Sequence, residues 1–113
     1  MRIAIILILL CTAAEAEERK LTGDEIATLL ADRTVVGTDK GGKQWKQIFQ
    51  KGGLTIYSQG DANSNGFWRV KGDQYCSQWP PNDSWSCYDM TGEGGNATFV
   101  SSSGTSYAVK VMP

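Results

Sequence analysis

The chain reads as a mainly β protein: a small antiparallel meander barrel or half-barrel carrying one short N-terminal helix. Three observations support this. Beyond Asp32, apolar and polar residues alternate over short runs separated by Gly-, Asn- and Asp-containing turns. One short segment ahead of Asp32 has apolar residues at helical spacing combined with a capping signature. The chain has no Pro/Ser-rich linker, no heptad and no long repeat, and many short strands joined by tight turns close most simply as a meander.

The N-terminus carries an address. Met1-Arg2 precedes an apolar run, 3–10, and small residues ending in Ala14-Glu15-Ala16. A charged start, a short apolar stretch and an A-x-A site describe a secretory signal peptide over 1–16. The apolar run is too short for a membrane span, which needs about 20 residues. Cys11 raises a second possibility, a lipid-modified bacterial lipoprotein, but the lipobox wants a small residue directly before the cysteine and Leu10 stands there. Cleavage after Ala16 leaves a single domain over 17–113, with no further apolar segment to hold it in a membrane. The mature protein is expected to be periplasmic or secreted.

Residues 17–20 form a charged leader. Thr22, with Glu25 three residues on, makes a capping box, and Ile26, Leu29 and Leu30 share one face of a helix over 22–31. Asp24 and Glu25 sit where the helix dipole favours negative charge. Extended segments follow over 34–36, 45–50 and 54–58, the second with Trp45, Gln47 and Phe49 on one face. The stretch 60–66 is expected to be a polar loop. Strands over 67–71, 74–78, 86–91, 97–101 and 107–111 complete the set.

Gly72-Asp73 is a two-residue hairpin turn, and it fixes a register. Lys71 then faces Gln74, Val70 faces Tyr75 and Arg69 faces Cys76. Two cysteines survive cleavage, Cys76 and Cys87, and in an oxidising compartment such a pair is a disulfide. A bridge across the next strand pair sets Tyr75 beside Tyr88. Alternation then places Trp68, Val70, Tyr75, Tyr88 and Met90 on a core face. Phe67, Arg69, Lys71, Cys76, Cys87 and Asp89 fall on the outer face, with Phe67 the one misfit.

The segment Gly66-Phe67-Trp68-Arg69-Val70-Lys71-Gly72-Asp73-Gln74-Tyr75-Cys76, followed by Trp79-Pro80-Pro81 and Cys87-Tyr88, resembles an uncharacterised family of small exported bacterial proteins. Leu21-Thr22-Gly23 with Glu25-Ile26, and Trp45 ahead of Phe49, are similar to that family as well. The resemblance implies a lipocalin- or avidin-like β fold. It implies no activity, and fold likeness would not license one.

Composition excludes several function classes. Net charge is −1 before and after cleavage, since the leader removes one residue of each sign, Arg2 and Glu15. Without a basic excess there is nothing to attract nucleic acid phosphates or an anionic membrane surface. The chain contains no histidine, which removes Ser-His-Asp and Cys-His catalysis and leaves two thiols as a poor zinc site. No Gly-rich phosphate loop opens a helix. An enzyme is therefore not expected, nor is a cofactor. Asp61-Ala62-Asn63-Ser64-Asn65-Gly66 matches the first half of a calcium loop, but Gly72 stands where the bidentate acid belongs, so no metal site is assigned.

The remaining pointers concern a partner. Trp79 and Trp85 flank Pro80-Pro81 in the segment closed by the disulfide, either as a recognition surface or as a plug in the barrel mouth. Ser103-Gly104 with Tyr107 is similar to a loop motif of periplasmic lysozyme inhibitors; Tyr107 otherwise turns inward beside Val109 and Val111. The expected role is binding, with Trp79, Trp85 and Tyr107 as site residues and a small molecule, a glycan or a protein as partner. The alternative is a protein inhibitor acting through a surface loop. Intact-mass measurement of protein recovered from the periplasm or medium is expected to show a chain starting near Glu17. A mass retaining 1–16, or a diacylglyceryl adduct on Cys11, would refute that start.

Overall fold

The computed structural model describes residues 19–113; the expected signal peptide over 1–16 and Cys11 lie outside the described residues. A two-residue strand, β1 (Arg19–Lys20), leads into helix α1 (Gly23–Leu30). Eight strands follow: β2 (Arg33–Thr38), β3 (Gln44–Phe49), β4 (Leu54–Gln59), β5 (Ala62–Lys71), β6 (Gln74–Gln78), β7 (Trp85–Glu93), β8 (Asn96–Ser101) and β9 (Ser106–Val111). Each pairs antiparallel with the next, and β9 returns to β2 with Val35 opposite Val111 and Gly37 opposite Val109. The meander is therefore a closed eight-stranded barrel rather than a half-barrel. Closure leaves no free edge in this ring.

The helix forms as its sequence predicts. Thr22 Oγ1 accepts from the Glu25 N–H, and the Glu25 carboxylate accepts from the Thr22 N–H, completing the capping box. Arg19 grips the same carboxylate with both guanidinium nitrogens. That bond, followed by the Thr22 backbone bond, holds the Glu25 pKa down at about 2. With caps at Thr22 and Ala31, the helix fills the range expected of it.

Helix α1 closes one end of the barrel. The turns 50–53, 72–73 and 94–95 gather at that end. The Gly23 N–H donates to Asp73 Oδ1 at 2.7 Å, and Leu21 N–H donates to the Met90 carbonyl at 2.8 Å. A Cβ at Gly23 would collide with the Gly72 carbonyl, so the helix start rests directly on the β5–β6 turn. Asp32, at φ 59°, turns the chain out of the helix; its N–H donates to the Phe49 carbonyl at 2.7 Å. Ile26 and Leu30 are fully buried against Val35, Phe49 and Met90. The closed half of the barrel is thus a dry core.

The predicted hairpin register is the observed one. Arg69 lies opposite Cys76, Val70 opposite Tyr75 and Tyr75 opposite Tyr88. Trp68, Tyr75 and Met90 are buried, while Phe67, Arg69 and Lys71 are exposed. Cys76 and Cys87 are joined, with their Cα atoms 4.0 Å apart on directly opposed positions. Their face is less solvated than the alternation suggests. Arg69 on β5 reaches over β6 to stack on Trp85 of β7, its guanidinium carbon 4.0 Å from the ring centroid, and Cys76 beside this stack is fully buried. Asp89 on the same face meets Lys20 at 3.6 Å and accepts from Gln74, rather than pairing with Arg69 or Lys71.

One segment departs from expectation. Residues 62–66 are not a loop but the first half of β5, paired with β4 from Gln59 opposite Ala62 to Thr55 opposite Gly66. Asn63, Ser64 and Asn65 put polar side chains on both faces, because this end of the strand has solvent outside and an open cavity inside. An alternating pattern appears only where the two faces of a strand meet different environments. The calcium half-motif therefore lies along an extended strand.

Trp68 supplies the sharpest check on the face assignment. It is 7% exposed, stands edge-on to Phe49 at 5.5 Å, and donates Nε1–H to the Gln50 carbonyl at 2.8 Å. Trp68→Ala is expected to cost about 3–5 kcal/mol in chemical denaturation. Lys71→Ala, three residues on and exposed, is expected to stay within about 0.5 kcal/mol. Equal costs would overturn the assignment.

Candidate functional site

The far end of the barrel is open. Here the turns 39–43, 60–61, 79–84 and 102–105 surround a mouth leading into a cavity of about 880 Å³. Strand alternation aims Trp45 and Gln47 of β3, Tyr57 of β4, Tyr75 and Ser77 of β6, Tyr88 of β7, Phe99 of β8 and Tyr107 of β9 into it. All four tyrosines of the chain line this one cavity.

Two glycines shape its wall. A Cβ at Gly37 would run into the ring of Trp45, and one at Gly66 would stand 2.6 Å from Trp79 Cε3. Each indole lies flat against a strand that has no side chain there, which lets the ring join the wall instead of filling the lumen. Trp45 packs on Tyr57 with centroids 5.5 Å apart, and Tyr57 stands edge-on to Trp79 at 6.4 Å. Across the barrel, Tyr88 meets Tyr107 edge-on at 6.3 Å and Phe99 at 6.3 Å.

The cavity has a hydrogen-bonded floor. Gln47, 8% exposed, donates through Nε2 to Thr55 Oγ1 at 2.9 Å and to the Tyr75 hydroxyl at 3.0 Å. Thr55 donates its own proton to the Ile48 carbonyl at 2.8 Å. Ser77 Oγ accepts from Trp79 Nε1 at 3.2 Å. Burial drives the Tyr75 pKa up to about 12, against the pull of Ser77 and Gln47, which support its charged form. Burial also raises Tyr57 and Tyr88. Tyr57, Tyr75 and Tyr88 therefore present neutral hydroxyls across the physiological range.

Charge is confined to the rim, at Asp39 and Lys40. Asp39 is committed to its own turn: Oδ1 accepts from the Lys43 and Gly41 N–H groups, and Oδ2 from Gln59 Nε2. These bonds, the Lys43 N–H foremost, lower its pKa. Among the described residues no group of three or more Asp, Glu or Cys side chains is gathered in a way that could hold a metal ion.

Of the three residues singled out from sequence, Trp79 and Tyr107 share the cavity and Trp85 does not. Trp79 is half-buried in the cavity wall beside Gly66, neither waving in solvent nor plugging the mouth. Tyr107 lines the same cavity and is 45% exposed. Trp85 begins β7 on the outer surface under Arg69, so it does not share a surface with Trp79. Trp45, Gln47, Tyr57 and Ser77 were not singled out as site residues, although the alternation of β3 already placed Trp45 and Gln47 on the inner face.

Comparison with protein-family models, with curated proteins and with solved structures finds no match to this chain. Chemistry at the site therefore rests on its own geometry. Tyr75 provides a direct test. The unfolded chain ionises this group near its ordinary value of 10 and the folded chain only near 12, so above pH 10 the unfolded state loses the proton first. Its contribution is complete below pH 10 and is lost as pH rises through about 12. Denaturation midpoints are expected to fall over that window by an amount equivalent to roughly 2–3 kcal/mol, with Tyr75→Phe flattening the fall. A profile unchanged by Tyr75→Phe would refute the buried hydroxyl.

Proposed function

We propose that this is an exported binding protein that takes a small, uncharged ligand into the open half of its barrel. The observation that carries the reading is the convergence of all four tyrosines with Trp45 and Trp79 on one cavity of about 880 Å³. An eight-stranded barrel has an interior that side chains can fill, or that can hold one small ligand. This one fills its closed half with Phe49, Ile26, Leu30 and Met90 and leaves the other half open. A concave pocket rich in aromatic side chains with convergent polar groups is the usual form of a small-molecule site.

Binding rather than catalysis is supported by the lining, where neutral hydroxyl and amide groups face the cavity and the ionisable carboxylate at the rim is held in its turn. Export is supported by the Cys76–Cys87 bridge, which belongs to oxidising compartments. Among the described residues no helix is long and apolar enough to cross a membrane. The alternative, a protein inhibitor acting through Ser103-Gly104 and Tyr107, is less well supported, because Tyr107 packs against Tyr88 inside the mouth.

Obstruction tests the reading. Ser64 lines the cavity from β5, opposite Tyr57, and Ser64→Trp would occupy the lumen without touching the core. Neutral aromatic compounds that raise the melting temperature of the native protein are expected to lose that effect in Ser64→Trp, whose own melting temperature stays near the native value. Compounds acting equally on both proteins bind elsewhere, and that result would rule out the cavity as the site.

A further inference from the structure

The floor of the cavity has a donor–acceptor polarity that can be read atom by atom. Thr55 spends its proton on the Ile48 carbonyl, so toward Gln47 it can only accept. This fixes the orientation of the Gln47 amide, with nitrogen toward Thr55. Both amide protons are then committed, one to Thr55 Oγ1 and one to the Tyr75 oxygen. What Gln47 has left to offer the cavity is its oxygen, an acceptor. Tyr75 accepts from Gln47, Ser77 accepts from Trp79 Nε1, and the two hydroxyls are hydrogen-bonded to each other, so the pair has one proton left to give. The floor sets one acceptor beside one donor, on side chains that are themselves more than nine-tenths buried.

The walls above the floor are flat. In the ring of eight strands β3 stands opposite β7 and β4 opposite β8. Trp45 and Tyr57 therefore face Tyr88 and Phe99 across the lumen. Opposed aromatic faces favour a planar ring that lies between them. With charge confined to the rim, an ion at the floor would find no partner of opposite sign, and its desolvation would oppose entry.

We infer that the ligand is an uncharged, planar heteroaromatic ring bearing a lactam or imide edge, its N–H donating to Gln47 Oε1 and its flanking carbonyl accepting the one free proton of the hydrogen-bonded Tyr75–Ser77 pair. This rests on the cavity being the ligand site, and it adds the class and orientation of what enters. The ring inserts edge-first, with the lactam at the floor and the opposite edge at the mouth between Trp79 and Tyr107.

Lumichrome, a neutral tricycle with an imide edge, is a suitable probe, read at pH 6.5 through quenching of its own fluorescence and of the tryptophans. It is expected to bind the native protein in the micromolar range. The 1,3-dimethyl derivative, in which both lactam N–H groups are replaced by N–CH3, is expected to bind more weakly by about tenfold or more, the loss of one buried hydrogen bond with the methyl bulk adding to it. In Gln47→Leu the gap between the two compounds is expected to narrow. The methyl comparison is made on native protein, so it does not depend on the variant folding. Acridine, planar and without a lactam edge, separates the two levels of the claim. Acridine binding as tightly as lumichrome, or maltose binding more tightly, would keep the cavity as the site and overturn the lactam class. Failure of all these compounds to perturb tryptophan fluorescence would overturn both.

Discussion

The hydrogen bond from Gln47 to Tyr75 crosses the interior from β3 to β6, and the division of the barrel into two halves depends on it. Below it lie ring-to-ring contacts: Phe49 stands edge-on to both Trp68 and Tyr75. Above it the same tyrosine turns a hydroxyl to the cavity. A buried amide is tolerable only when its protons are used, and Thr55 and Tyr75 use both. The network therefore keeps water out of the aromatic core while giving the cavity a polar base. If the amide were apolar, the core would continue upward into the lumen; if it were charged, the interior would hold no partner for it.

The wall obeys a second constraint. An eight-stranded lumen is narrow, and side chains from every strand compete for it. Large indoles placed on inward positions would ordinarily fill it. Here Gly37 and Gly66 give up their side-chain volume so that Trp45 and Trp79 lie along the strands. The stabilisation of aromatic burial is retained, and the space between opposed walls is left open. The glycines thus shape the cavity through packing rather than through a turn: neither has a positive φ, unlike Gly72 or Gly104.

Much of this was legible in the sequence, for identifiable reasons. The capping box from Thr22 to Glu25 and the two-residue turn at Gly72-Asp73 are local codes, so the helix and the central register follow from a few residues. Alternation then sorted Trp68, Tyr75, Tyr88 and Met90 from Arg69, Lys71 and Asp89. The strand over 62–66 was hidden because both of its faces are wet, and polarity alternates only across a boundary between environments. The separation of Trp79 from Trp85 was available but unused. Carrying the parity of Tyr75 and Ser77 one step further points Trp79 inward, and stepping back from Cys87 by two points Trp85 outward. Which end of the barrel stays open was not legible, because it depends on where the helix seats, and that is fixed by contacts of Gly23 and Leu21 with strands distant in sequence.

A barrel that leaves half its interior unpacked must find rigidity elsewhere, and here it lies on the outside. The cavity walls cannot be held by core contacts where no core exists. The Cys76–Cys87 bridge ties β6 to β7 just before the 79–84 loop, and Arg69 spans β6 to rest on Trp85. The bridge closes a short loop, so the chain-entropy model assigns it roughly 3 kcal/mol, acting through the unfolded chain without adding volume to the lumen. The cation–ring stack adds roughly 0.5–1 kcal/mol at such an exposed site. Both devices act on the strands that carry Tyr75, Ser77 and Tyr88, so the polar floor and one aromatic wall are held from behind. The tryptophan of the disulfide loop that faces inward, Trp79, then serves the cavity, while its neighbour in sequence, Trp85, serves the brace. The two indoles first read as one surface are the inner and outer parts of a single arrangement that keeps the open end from collapsing.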